Sequence, residues 1–341
     1  MEHMEHMELP GGITREGLKS AVKAMKGNDI IVLGDFVLDR YLYGRTSRIS
    51  REAPVLIVEQ EKEDYRLGGA ANVALNLAMM GARVFAVSLL GTDRTANTLE
   101  NLCKEQGIDT NGLIRVPGRK TPVKTRVMAG GVNTARQQML RIDKGGGFDP
   151  EFMTHDAIQY LEDLSERADA LVVSDYGLGS VNDSFLDFAL GLARKQRVIG
   201  DSRYHVERFR HLTAVTPNEP EAGQATGMHF SNTSDAISAG LLLLNMLEVD
   251  HVLLKRGRLG MILCDKSKEP VVIGPFGKAG RVVDVTGAGD TVLAVFSLAL
   301  AAGVSPIESA LLSNIAGGLV VLKPGPAGIT PAELESAVGE I

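Results

Sequence analysis

Short, wholly apolar runs alternate with helical patterns along most of the chain, and this limits the fold more than any other feature. Ile30-Ile31-Val32-Leu33-Gly34-Asp35, Val84 to Leu89, Ala170-Leu171-Val172-Val173-Ser174-Asp175, Val198-Ile199-Gly200-Asp201, Leu212 to Thr216 and Val252-Leu253-Leu254-Lys255 each read as a strand. A strand without a polar face must be covered on both sides, which is the condition of a parallel sheet in an α/β protein. Ala70 to Met80, closed by Gly81, and Asn97 to Gln106, stopped by Gly107, read as helices between strands. A doubly wound α/β domain follows, and in such sheets ligands collect beyond the carboxyl ends of the strands. Asp35, Asp175, Asp201, Asn218 and Gly257 fall at or shortly after those ends.

Two stretches break the alternation. Residues 41–66 hold a strand, Val55 to Glu59, and residues 113–142 read as strands turning at Gly130-Gly131-Val132-Asn133 before Arg136 to Ile142. Neither has a helix of its own, so both suit a small β-sheet excursion. Such a flap can close over a site and exclude water, or serve as a dimer interface, and the two roles are compatible. The expected organisation is one domain over 13–341, with lid segments 41–66 and 113–142. Residues 1–12 form a disordered or tag-like tail, because the repeat Met1 to Glu8 lacks the basic start and apolar core of a signal peptide.

Composition removes several classes. The 341 residues are 44% apolar and 23% charged, ordinary for a protein with a sizeable core. A net charge of −6 argues against a nucleic-acid surface. No apolar run reaches the roughly 20 residues a membrane helix needs. Cys103 and Cys264 lie far apart without metal-ligand spacing, as expected of a cytoplasmic protein.

The chemistry is most legible in Asp284-Val285-Thr286-Gly287-Ala288-Gly289-Asp290. It lies between a β-like run, Arg281-Val282-Val283, and an apolar helical run from Thr291 to Ala302. Small, glycine-spaced residues opening a helix present backbone N–H groups at the positive end of a helix dipole, which holds anions. Asp290 at the rim of an anion pocket would repel a phosphate. It makes sense as a base that takes a proton from an alcohol attacking that phosphate.

Other stretches admit two readings each. Gly68-Gly69-Ala70-Ala71-Asn72 lets backbone approach a ligand, with Asn72 offering a donor and an acceptor to sugar hydroxyls, or it is a tight turn. Asp35 and Asp39 suit vicinal hydroxyls, while Asp39 could instead pair with Arg40. Asn218 and Glu221, three apart, supply oxygen ligands for hydrated Mg²⁺, or form a helix capping box. Lys255-Arg256-Gly257-Arg258-Leu259-Gly260 could lie along a nucleotide's phosphates or be a basic hairpin turn. There is no GxxxxGK[ST] sequence and no dinucleotide fingerprint, and Ser174-Asp175-Tyr176 with the scattered histidines does not suggest a hydrolytic triad.

Gly68 to Asn72 resembles the first signature of the ribokinase-like (PfkB) carbohydrate kinases, and Asp284 to Asp290 resembles their second. The resemblance covers about residues 28–338. Within the family it is strongest to the bacterial D-glycero-β-D-manno-heptose 7-phosphate kinases, through Gly34 to Tyr41, Thr46 to Val55, Gly68 to Ala74 and Val283 to Thr291. It implies a mostly parallel sheet between helices with a β lid that often dimerises, and an ATP- and Mg²⁺-dependent kinase acting on a sugar. Asp290 would be the general base, and Gly287, Ala288 and Gly289 the anion hole. Asp35, Asp39, Gly68, Gly69 and Asn72 would grip the sugar. Asn218 and Glu221 match the family's NxxE element for Mg²⁺. Lys255, Gly257, Gly260, Thr286, Asn314 and Gly317 would serve the nucleotide, and Asp284 marks where many members bind a monovalent cation such as K⁺.

The likeness has departures. This chain has Arg51 where the heptose kinases carry Pro, Leu178 where they carry Lys, and Asp201-Ser202-Arg203 where they carry Asp-Pro-Lys. Arg48, Arg51, Arg126 and Arg141 could hold a 7-phosphate or be solvated cations. The nucleotidyltransferase domain often fused to such kinases does not follow Ile341, so a separate enzyme is expected for that step. The expectation is a heptose 7-phosphate kinase in the cytoplasm, homodimeric through the lid as the resemblance implies, with neither nucleic-acid nor membrane partners. Its rivals are a kinase of a fructose-, ribose- or nucleoside-like acceptor, a non-catalytic sugar- or nucleotide-binding relative, and a purely structural dimer.

Overall fold

The computed structural model describes residues 9–131, 136–146, 154–277, 282–323, 325 and 327–341. The tail repeat over 1–8, the turn at Val132-Asn133 and Arg281 lie outside the described residues.

Thirteen strands are present among the described residues: β1 Asp29–Gly34, β2 Phe36–Ile49, β3 Leu56–Gly69, β4 Arg83–Leu90, β5 Asp109–Arg115, β6 Val123–Gly130, β7 Gln137–Lys144, β8 Ala170–Asp175, β9 Arg197–Ser202, β10 Ala214–Val215, β11 His251–Lys255, β12 Met261–Asp265 and β13 Lys268–Ile273. Ten α-helices accompany them: α1 Arg15–Ala24, α2 Ala70–Met79, α3 Arg94–Glu105, α4 Thr154–Ser165, α5 Asp183–Leu192, α6 Glu219–Thr226, α7 Thr233–Leu247, α8 Ala288–Ala301, α9 Pro306–Val320 and α10 Pro331–Glu340.

Nine strands form one sheet in the order β13-β12-β11-β10-β9-β8-β1-β4-β5. Pairing is parallel from β11 through β5, and antiparallel at the β11–β12–β13 edge. All six residues of β1 are buried. Ile30 and Val32 face one apolar core, Ile31 and Leu33 the other, so one strand feeds both layers. The first layer includes α2, α8 and α9; the second is built on residues of α5 and α7. The order reverses at β1, which pairs with β4 on one side and β8 on the other. Such a switch point opens a crevice beyond the strand ends.

A second, four-stranded sheet has the order β3-β2-β6-β7. The chain enters it directly from β1 through Asp35 and leaves through Gly69 into α2. That joint is tight: Gly69 has φ +57°, the Ala70 N–H donates to the Asp35 carbonyl at 3.0 Å, and a Cβ on Gly69 would lie 2.6 Å from that carbonyl oxygen. Leu113 to Arg115, read from sequence as part of the lid, belong instead to β5 of the large sheet. The lid strands are also longer than the sequence indicates, because β2 and β3 pair from Phe36–Gly69 out to Ile49–Leu56. At the N-terminus, Leu9, placed in the tail by sequence, packs with Ile13 against the core.

Candidate active site

Four strand ends and one helix start meet at the crevice. The β8–α5 connection carries Tyr176, β9 ends near Asp201, β10 leads to Asn218, β11 ends at Lys255, and α8 begins at Ala288. Gly287 precedes α8 at φ +83° and no side chain caps that helix; the Ala288 N–H donates to the Val285 carbonyl at 3.3 Å. Of the β-like run expected before this loop, Val282 and Val283 are not in a strand. Val282 and Val283 are exposed, and the Val283 and Asp284 N–H groups donate to the Val321 carbonyl.

Asp290 lies on the first turn of α8 and is buried. Its Oδ2 accepts from Asn72 Nδ2 at 2.8 Å and its Oδ1 from the Tyr176 hydroxyl at 2.5 Å. Burial pushes its carboxyl up to about 6. The bonds from Asn72 and Tyr176 oppose that shift, Asp201 adds to it and Lys255 counters it. A second pair ties the same helices one turn on: Thr291 Oγ1 donates to Asn76 Oδ1 at 3.0 Å, and Asn76 Nδ2 to the Asn72 carbonyl at 2.8 Å.

Lys255 is the cation of the crevice. Its Nζ donates to both oxygens of Asp201, at 2.9 and 3.1 Å, and lies 3.6 Å from where a Gly289 Cβ would stand. Burial works against its charge, but Asp201 and Glu221 outweigh burial and hold the ammonium above its ordinary range. Glu221 is raised by burial and by Asp201, with Lys255 opposing. Asn218 and Glu221 form a reciprocal capping box on α6: Asn218 Oδ1 accepts from the Glu221 N–H and Glu221 Oε2 from the Asn218 N–H, both at 2.8 Å. The capping alternative is therefore realised, and each residue keeps one oxygen lone pair or carboxylate oxygen for a water-mediated cation. Among the described residues no group of three or more His, Cys, Asp or Glu could hold a metal directly.

Several predicted sugar contacts are placed differently from one another. Asp35 is fully buried and accepts three backbone N–H groups, from Tyr176 and Leu178 at 2.9 Å and Ser180 at 2.8 Å. It braces the loop after β8 and leaves little for a sugar. Asp39 is not paired with Arg40, which bonds Glu63. It forms a buried ion pair with Arg126 at 2.7 Å, and its carboxylate lies 2.7 Å from where a Gly68 Cβ would stand. Arg126 also packs over the Tyr41 ring. Arg141 is exposed and paired with Asp143 at 2.8 Å, and Arg48 and Arg51 are exposed at the far end of the small sheet.

On the nucleotide side, Gly257 and Gly260 have φ +54° and +82°, and a Cβ on Gly260 would meet the Ile273 carbonyl at 2.1 Å. Only glycine fits there. Asn314 donates to the Gly274 carbonyl at 2.8 Å, while Gly317 faces Val292 on α8. Asp284 Oδ1 accepts from the Thr286 N–H at 2.8 Å and Oδ2 from the Gly325 N–H at 3.1 Å, so this carboxylate stitches two loops together.

Sequence reasoning missed Tyr176 and Lys124. Lys124 Nζ sits 4.8 Å from the Tyr176 ring centroid, and burial lowers its pKa, with Asp39 opposing and Arg203 adding to the fall. An aromatic residue directly after a strand-end aspartate and before Gly177-Leu178-Gly179 was the available signal for Tyr176.

Residues 28–333 match the model of the pfkB family carbohydrate kinases. The bifunctional protein HldE of Geobacter sulfurreducens is 36% identical over 332 residues, covering 95% of this chain and 66% of that protein. HldE of Yersinia enterocolitica is 38% identical over 312 residues, covering 91% and 63% respectively. The chain thus spans just under two thirds of the curated relatives it matches. Among solved structures, Arabidopsis thaliana ribokinase complexed with ribose and ATP superposes with a TM-score of 0.73 at 21% identity, covering 92% of this chain and 99% of that one. Escherichia coli phosphofructokinase-2 in complex with substrates and products gives 0.71 at 18% identity, covering 92% and 99%. These two establish the ribokinase-like fold. The match over most of the chain makes it a member of the pfkB family of carbohydrate kinases.

Proposed function

We propose that the chain transfers the γ-phosphoryl group of ATP to O1 of D-glycero-β-D-manno-heptose 7-phosphate, giving the 1,7-bisphosphate, a precursor of ADP-heptose and the lipopolysaccharide core. The observation that carries the kinase chemistry is Asp290, held by Asn72 and Tyr176 at the uncapped start of α8, with Lys255 beside Gly289. A carboxyl near 6 is ionised at neutral pH yet basic enough to take a proton from an attacking hydroxyl. Backbone N–H groups over Gly287 to Gly289, at the positive end of α8, and the Lys255 ammonium would stabilise the negative charge that grows on the transferred group. Lys255, Gly257 and Gly260 would border the nucleotide phosphates, Asn314 and Gly317 the base, and Thr286 the loop between.

Asn218 and Glu221 would hold Mg²⁺ through water. The raised Glu221 carboxyl beside Asp201 marks negative charge that a hydrated dication would relieve. Bound there, Mg²⁺ supplies charge neutralisation at the triphosphate. A monovalent cation such as K⁺ would lie at Asp284, whose two oxygens each accept one backbone N–H group and keep a further lone pair.

The choice of a phosphorylated acceptor rests on Lys124, Arg126 and Arg203, basic groups that surround Asp39 and Tyr176, together with the likeness to HldE. The small sheet would act as lid and, through exposed Leu56, Leu140 and Ile142, as the seam of a homodimer. The departures at Leu178 and Arg203 favour one alternative, a kinase of another sugar or sugar phosphate. An assay of ADP release separates them, using heptose 7-phosphate beside fructose, ribose, their phosphates and nucleosides. Highest kcat/KM with heptose 7-phosphate supports the proposal. A higher value with an unphosphorylated sugar rejects the phosphorylated acceptor, and absence of ADP with every acceptor rejects catalysis.

A further inference from the structure

The loop after β8 is braced from two sides, and it presents one side chain to the candidate base. Asp35 accepts the N–H groups of Tyr176, Leu178 and Ser180. Arg119, itself buried, donates Nη2 to the Leu178 carbonyl at 2.8 Å and to Ser180 Oγ at 3.3 Å. Gly177 and Gly179, at φ +69° and +91°, let the chain fold tightly between these braces. The loop's backbone does this work, which accounts for a leucine at 178 without loss of loop shape. What the braces fix is Tyr176, whose hydroxyl reaches Asp290 Oδ1.

We infer that Tyr176 is a positioning residue for the reaction: with Asn72 it locks the Asp290 carboxylate in one orientation, leaving one lone pair on each oxygen for the acceptor hydroxyl. A carboxylate offers about four acceptor sites. Asn72 and Tyr176 take one on each oxygen, and together they block rotation of the group. The phenol stays a donor throughout the working range, because burial and the Asp290 charge raise its pKa well above 10.0. The groups that face Asp290 come from separate elements: Asn72 from α2, Tyr176 after β8, Asp201 from β9 and Lys255 from β11. Among the described residues, Asn72 and Tyr176 are the side chains in hydrogen-bond contact with it. Arg203 and Lys124 act on the tyrosine, the first by charge and the second from above its ring.

This inference rests on the proposed role of Asp290, and its test separates the two. In the free protein, the Asp290 carboxyl is followed by ¹³C NMR across pH 4 to 9 and assigned by its loss in Asp290→Asn. Tyr176→Phe keeps the ring and its cation contact but removes one charge-assisted hydrogen bond, so the Asp290 pKa should rise by about one unit. In the ADP-release assay the acidic limb of kcat should move up with it. Turnover near pH 6.5 should fall about threefold, approach a tenfold fall below about pH 5 and largely recover by pH 9, while KM for ATP changes little. Tyr176→Leu, which removes the ring as well, should show the same rise in pKa. An Asp290 pKa that is equal in wild type and both variants overturns the inference, whatever the acceptor. A wild-type protein that releases no ADP, with the NMR shift present, refutes the kinase reading and supports the contact.

Discussion

Asp290→Asn separates the role of the base from its cost to the fold. The amide can still accept from Asn72 and remain within reach of Tyr176, so the local packing survives. It cannot take a proton. General-base catalysis is worth about 10²–10⁴ in rate, and kcat should fall by at least about a thousandfold while ATP binding largely persists. Stability should move the other way. The carboxyl titrates at about 6 in the folded protein and at 3.8 ordinarily. Between those values the folded state keeps a proton that the unfolded state has lost, so wild-type stability falls as pH rises through the window. Two units correspond to roughly 3 kcal/mol, fully present below 3.8 and absent above about 6.

About one unit of that window remains above pH 5. The substituted protein lacks this titration. Its melting temperature relative to wild type should therefore improve by about 1.4 kcal/mol between pH 5 and pH 8, roughly 2 °C for a chain of this size. The assay is a pair of thermal melts at each pH beside single-turnover ADP release. A melting difference that is constant with pH would show that Asp290 is not the strained carboxylate described here. Normal turnover in the variant would remove it from the mechanism altogether.

Lys255→Met leaves Asp201, Glu221 and Asp290 without their shared counter-charge. The kcat for ADP release should fall at least about a hundredfold, with the acidic limb displaced upward since Lys255 lowers the Asp290 pKa; an unchanged pH profile places Lys255 outside the site. For the dimer, Leu140 and Ile142 are 56% and 52% exposed on β7, and Leu56 is 50% exposed. Ile142→Lys should convert a dimer into a monomer by light scattering, and a wild type already monomeric at micromolar concentration excludes that seam.

The central strands were legible because their burial is continuous. Ala170 to Asp175 and Val252 to Leu254 are buried throughout, as expected of parallel strands covered by helices on both faces. The small sheet was only half legible. Its strands β2 and β3 alternate buried and exposed residues irregularly, and two bulges in their register erase the period of two. Val282 and Val283 misled for the opposite reason. They are β-branched and apolar, but no strand among the described residues pairs with them; their side chains are exposed and their loop is tied to Val321.

The site divides along the same line. Asp290 could be placed from sequence because glycine spacing and a helix start are local. Its environment could not, because that depends on which strands are neighbours. Asp201 meets Lys255 only because β9 and β11 flank the two-residue β10, and Asn218 bridges to Lys255 at the same step. Tyr176 reaches Asp290 across 114 positions of chain, and Asn72 across 218. These distant partners decide the chemistry. Burial pushes the carboxyl up, and two hydrogen bonds and one ammonium oppose it, leaving a value of about 6 at which it is charged at neutral pH and still basic. The glycine signature locates the base, and the strand order makes it one.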